Sequence, residues 1–95
     1  ANRAIFADNV RAIRDADIVV AVCDGADADS GTAWEMGFAH ALGKPVYAIR
    51  SDFRMAGACE RVNLMLEESA VFVRSIGDLL QAMRAPLPAG MEPPP

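Results

Sequence analysis

Long apolar runs, clusters of basic residues and paired cysteines are all missing from this 95-residue sequence. A membrane-spanning helix needs about 20 consecutive apolar residues, and no stretch here reaches that. No signal peptide is visible either, so the chain is expected to be cytoplasmic and to bind no membrane. The nine Lys and Arg residues are scattered and the formal net charge is -4, which is the wrong balance for a nucleic-acid backbone as partner. Cys23 and Cys59 form no CxxC pair and have no second metal-type ligand nearby. Both are expected as free thiols in a reducing compartment, and a zinc site is not expected. The seven glycines make neither GxGxxG nor a Walker A loop, and the acidic segment Asp24–Asp29 does not follow the EF-hand spacing. No internal repeat is visible.

What is present is a regular alternation of elements. Ala4–Ala16 carries Ile5, Phe6, Val10 and Ile13 with charges between them, the pattern of an amphipathic helix. Ile18–Cys23 is a short, β-branched apolar run and predicts a strand buried on both faces. The acidic DGADAD stretch, residues 24–29, follows as a loop, and then an almost wholly apolar helix ending near Gly43, a C-cap candidate. Val46–Ile49 predicts a second strand, Arg50–Glu60 a long loop, Val62–Glu68 a short helix and Val71–Val73 a third strand. Ile76–Met83 predicts a terminal helix with Leu79, Leu80 and Met83 on its apolar side. Residues 1–85 are expected to form one α/β domain, and 86–95 a Pro-rich, disordered tail. Strands alternating with helices specify a parallel sheet with right-handed crossovers and helices on both faces. In such a three-layer fold, ligands bind beyond the carboxyl ends of the strands. Because the chain opens on a helix, its N-terminal strand is expected to be missing from the sequence as given.

Glu35 is the only residue formally charged at pH 7 between Ser30 and Gly43. One reading is structural: Thr32-x-x-Glu35 fits a capping box, with Asp29 or Ser30 as alternative N-caps. The other reading is a working carboxylate. Trp34, Met36, Gly37, Phe38 and Ala39 are expected to screen it from water, and Gly31 and Gly37 remove bulk so that a ligand can approach. A carboxylate near a helix N-terminus is favoured in its ionised form, which suits a nucleophile. Asp29 is either a cap or a second acid on the same cavity, and Asp24 and Asp27 are expected to be solvated. His40 lies five residues from Glu35, on a different side of the helix, so no Glu–His dyad is expected.

The segment DADIVVAVCDGADADSGTAWEMGFAHALGKPVYAIRSD, with VNLMLEES after it, resembles the nucleoside 2-deoxyribosyltransferase family. The resemblance runs from about Phe6 to Ser69 and is carried most distinctively by Asp29–Gly37 and Asn63-Leu64-Met65. It implies a flavodoxin- or Rossmann-like fold and a base-exchange reaction on 2′-deoxynucleosides. On that resemblance Glu35 matches the nucleophile that attacks the anomeric carbon, Asp29 an acid at the base and sugar, and Asn63 a contact to the 5′-hydroxyl in a neighbouring subunit's site. Ser30 and Gly31 fall within the substrate-binding motif, and Asn9 falls where members carry Asp or Asn near the base. A homo-oligomer is therefore implied, with a deoxynucleoside and a free base as partners and no metal or organic cofactor. The family's opening strand and loop have no counterpart before Ala1. The wider superfamily includes nucleotide N-glycoside hydrolases, so hydrolysis of nucleosides or their 5′-monophosphates is an alternative, with Arg50, Arg54 or Arg61 as phosphate contacts. A non-catalytic nucleoside-binding domain is a further alternative.

Overall fold

The computed structural model describes residues 1–24, 30–51 and 64–86. Asp27, Asp29, Arg54, Cys59, Arg61, Val62, Asn63 and the tail from residue 87 lie outside the described residues. The elements run α1 (Asn2–Asp15), β1 (Val19–Val22), α2 (Ser30–Ala41), β2 (Val46–Ile49), α3 (Leu64–Ser69), β3 (Val71–Val73) and α4 (Ile76–Arg84). The strands form one parallel sheet in the order β1-β2-β3. Val19 pairs with Val46 and Val22 with Ile49, and Tyr47 pairs with Val71. The fold is α/β, a parallel sheet with helices on both faces, as the alternation of elements predicted.

The register divides the side chains between two cores, because successive strand residues point to opposite faces. On one face, Ala21, Val46 and Ala48 pack with Ile13 of α1, Met36 and Ala39 of α2, and Leu66 of α3. On the other, Tyr47 and Ile49 pack with Leu79 of α4. Among the described strands, only β2 is buried along its whole length. The expectation of a β1 buried on both faces is corrected: Val20 is 44% exposed and Val22 61%. Both lie on the face that α4 covers, and β1 is the edge strand farther from α4 in the described sheet.

The helices are corrected in the same way. Among the α1 positions expected on one apolar face, Ile13 is buried, Val10 is partly buried, and Ile5 and Phe6 are exposed. Phe6 packs sideways instead. Its ring meets Trp34 of α2 edge-on at 5.7 Å, and Trp34 stacks on Phe38 at 5.2 Å. Arg3 lies over Phe6 and Arg14 over Phe38, so a cation closes each end of this ladder. Such aromatic pairs add about 0.5–1.5 kcal/mol each beyond their buried area. The Phe6–Trp34 pair joins α1 to α2, and Phe38 at the far end packs against the sheet core. In α4, Leu79 is buried while Leu80 and Met83 are exposed, so the expected three-residue apolar side reduces to one anchored residue.

The ends of the helices follow local rules. The Gly43 N–H donates to the His40 carbonyl and the Lys44 N–H to the Ala39 carbonyl, both at 3.0 Å, the two bonds of a Schellman motif. That motif needs a left-handed residue at its turn, and Gly43 supplies it with φ 81°. At the start of α4 the Ser75 hydroxyl accepts from the Asp78 N–H at 3.1 Å.

Candidate active site

Cys23 and Asp24 leave β1 at the carboxyl edge of the sheet, and Arg50 and Ser51 leave β2 there. α2 starts at the same edge, since it follows β1. Its faces are set by 100° of rotation per residue. Met36 and Ala39 are fully buried against the sheet. Ser30, Ala33, Trp34, Gly37 and His40 line a hollow of about 980 Å³ shared with Leu64, Met65 and Leu66 of α3. Gly31, Glu35 and Phe38, spaced i, i+4 and i+7, occupy the remaining flank. Phe38 meets Arg14 there, which places that flank towards α1.

Glu35 is therefore not among the residues lining the large hollow. It is partly buried, because Trp34 is 49% exposed and Gly37 is exposed, and neither screens it as expected. The capping-box reading is overturned by where the helix starts. With Ser30 as the first helical residue, Thr32 is the third and Glu35 the sixth, in the second turn. A capping box would need Thr32 just before the helix. Helical side chains lean towards the N-terminus, and one turn ahead of Glu35 stands Gly31, which has no side chain. The route from Glu35 towards the sheet's carboxyl edge is thus free of a blocking side chain from that position.

The structure places Ser30 and Gly31 exposed in the first turn of α2, and Asn9 exposed on α1 between Phe6 and Arg14, whose side chains meet Trp34 and Phe38 of α2. It brings Glu35, Gly31 and Ser30 onto one helix at the carboxyl edge. Asp29 and Asn63 immediately precede α2 and α3 in sequence and lie outside the described residues. Among the described residues, no group of three or more His, Cys, Asp or Glu side chains could hold a metal ion.

Sequence reasoning missed two features of the edge. Asp24 is exposed, as expected, yet both its carboxylate oxygens are engaged: Oδ1 accepts from the Ser51 N–H at 2.6 Å and Oδ2 from the Ser51 hydroxyl at 2.7 Å. Arg50, expected in a loop, is only 6% exposed, and its N–H donates to the Val73 carbonyl at 2.9 Å. Buried Cys23 donates from Sγ to Met36 Sδ at 3.6 Å. Its pKa is raised by burial above all, with Asp24 adding to the rise and Arg50 opposing it. The signal for the clasp was the register itself. If Val22 pairs with Ile49, then Asp24 and Ser51 fall level two residues beyond.

In parallel α/β sheets of this kind, ligands bind beyond the carboxyl ends of the strands, and Glu35 stands on the helix that follows β1 at that edge. The sequence profile of the nucleoside 2-deoxyribosyltransferase family matches residues 1–78, and the chain belongs to that family. No match is found among curated proteins. No helix among the described residues is long and apolar enough to cross a membrane.

Proposed function

We propose that this protein transfers a 2-deoxyribosyl group between nucleobases, with Glu35 as the nucleophile. One Glu35 carboxylate oxygen attacks C1′ as the bond from C1′ to the base nitrogen breaks. The transition state resembles an oxocarbenium ion, and the product is a deoxyribosyl ester on Glu35. The departing base takes up a proton, and Asp29 is assigned as its donor. A second base then attacks C1′ from the side the first one left, giving up its N–H proton to the Asp29 carboxylate and so restoring the donor. The ester bond breaks, the Glu35 carboxylate is released, and configuration is retained. Asn63 is assigned to the sugar 5′-hydroxyl in a neighbouring copy's site, Asn9 to the neighbourhood of the base, and Ser30 and Gly31 to the approach of the substrate. The chemistry calls on no metal or organic cofactor.

The observation that carries this reading is the position of Glu35 in a chain of this family. It sits partly buried in the second turn of α2, with Gly31 one turn ahead. The test is Glu35→Ala in a base-exchange assay, with mass spectrometry of the wild type held with deoxynucleoside and no acceptor base. The wild type should gain the mass of one deoxyribosyl group and the variant should not. Exchange by the variant near the wild-type rate sinks the assignment. Sharing of sites between copies has its own test. An inactive Glu35→Ala chain mixed with an inactive Asn63→Ala chain should regain activity, and no recovery from mixed oligomers refutes the shared site. Hydrolysis of 5′-monophosphates draws no support from Arg50, whose burial makes it a poor contact for a phosphate arriving from water.

A further inference from the structure

We propose that Asp24 is a positioning residue for the transfer reaction, acting through its clasp on Ser51; this rests on the reading of Glu35 given above. The backbone ladder between β1 and β2 ends with the Cys23 N–H donating to the Ile49 carbonyl at 2.8 Å. Asp24 and Ser51 are the last described residues of the two chains beyond that bond. Asp24 continues the join with its side chain. Its carboxylate takes the Ser51 N–H at 2.6 Å and the Ser51 hydroxyl at 2.7 Å, across 27 positions of sequence. Hydrogen bonds to an ionised acceptor are short and stronger than neutral ones, and two from one residue also set orientation.

The location gives the clasp its use. Asp24 is where the chain leaves β1 towards α2, the helix that carries Glu35, and Ser51 is where it leaves β2 towards α3. Beneath the clasp the edge is firm: Cys23 and Arg50 are buried, Cys23 bonds to Met36 of α2, and the Arg50 N–H is tied to Val73 of β3. Asp24 therefore couples the departure points of two connections to a packed floor. Nucleophilic attack requires the reacting atoms in a narrow geometry, and displacement by about 1 Å costs around 100-fold in rate. A residue that holds the strand ends at fixed separation acts on that geometry without touching the substrate.

The experiment compares Asp24→Ala, Asp24→Asn and Ser51→Ala with the wild type by three readouts: melting temperature, hydrogen exchange of the Ser51 amide, and the kcat and KM of base exchange. Asp24→Ala should speed exchange at Ser51 and lower kcat by about tenfold or more, at temperatures where the variant remains folded. Asp24→Asn keeps an acceptor oxygen and should recover part of the loss. Ser51→Ala keeps the N–H bond and should fall between. A purely structural role would lower the melting temperature and leave kcat unchanged in the folded protein, and that result overturns the proposal. Unchanged Ser51 exchange in Asp24→Ala overturns the clasp itself. If the wild type forms neither exchange product nor adduct, the reading of Glu35 fails and the positioning role with it, while Ser51 exchange still reports on the clasp separately.

Discussion

Gly37→Ala should make this protein more stable, although Gly37 lies at the centre of the helix that carries Glu35. A glycine inside a helix costs about 0.8–1.0 kcal/mol relative to alanine, through the backbone freedom it gives up on folding. Such a residue is usually tolerated because a neighbour packs where the Cβ would be. At Gly37 no non-local atom of the described residues lies within 4 Å of a Cβ built there. No clash offsets the gain, so the full propensity difference should appear as stability. For a domain of this size, 1 kcal/mol corresponds to a shift of about 4–8 °C in melting temperature. The assay is thermal unfolding by circular dichroism, run at two protein concentrations, because association through this surface would make the shift depend on concentration. An unchanged or lowered melting temperature would refute the reasoning, since it requires an atom in the space described as open. Base exchange measured on the same variant adds a second result. Higher stability with lower activity would mean that the hollow beside Gly37, lined by Ala33, Trp34, Leu64 and Met65, is used in function.

Met36 is completely buried and touches Cys23, so Met36→Ala should cost about 2–5 kcal/mol, read as a lower urea midpoint with little change in slope; a cost under 1 kcal/mol would mean that the site collapses around the gap. The fold raises the pKa of Cys23 above its ordinary value, chiefly through burial. The neutral thiol is the form the fold favours, so this contribution is present below about pH 9 and is lost as pH rises through the raised value. Urea titrations from pH 8 to 11 should show the wild type losing more stability than Cys23→Ala, and parallel curves would contradict this. In a Cys59→Ser background, iodoacetamide should label native Cys23 far more slowly than unfolded Cys23 at the same pH.

The elements that local pattern specifies strongly were legible. Val46–Ile49 and Val71–Val73 are strands with the expected bounds, because β-branched and aromatic runs between turn residues leave few alternatives. Gly43 was legible as a helix stop because only a residue tolerant of positive φ suits that turn. Glu35 stood out as a lone acid in an apolar helix. Its capping reading failed because capping depends on the exact first residue of α2, and boundaries are the least determined part of a local pattern. Burial failed most often where a neighbour was needed. Val20, Val22, Leu80 and Met83 have the composition of core residues but lie at the margin of a three-stranded sheet.

By itself, then, the sequence determined the alternation of elements, the parallel α/β class, the family motif and the isolation of Glu35 as the one acid in an apolar helix, all properties of spacing and residue type along the chain. The tertiary structure alone decided which faces are covered, that Glu35 and the large hollow lie on different flanks of α2, and that Asp24 reaches Ser51. These depend on which distant segments become neighbours. A 27-residue separation closed by a carboxylate has no periodicity to reveal it; the strand register brings the two residues level.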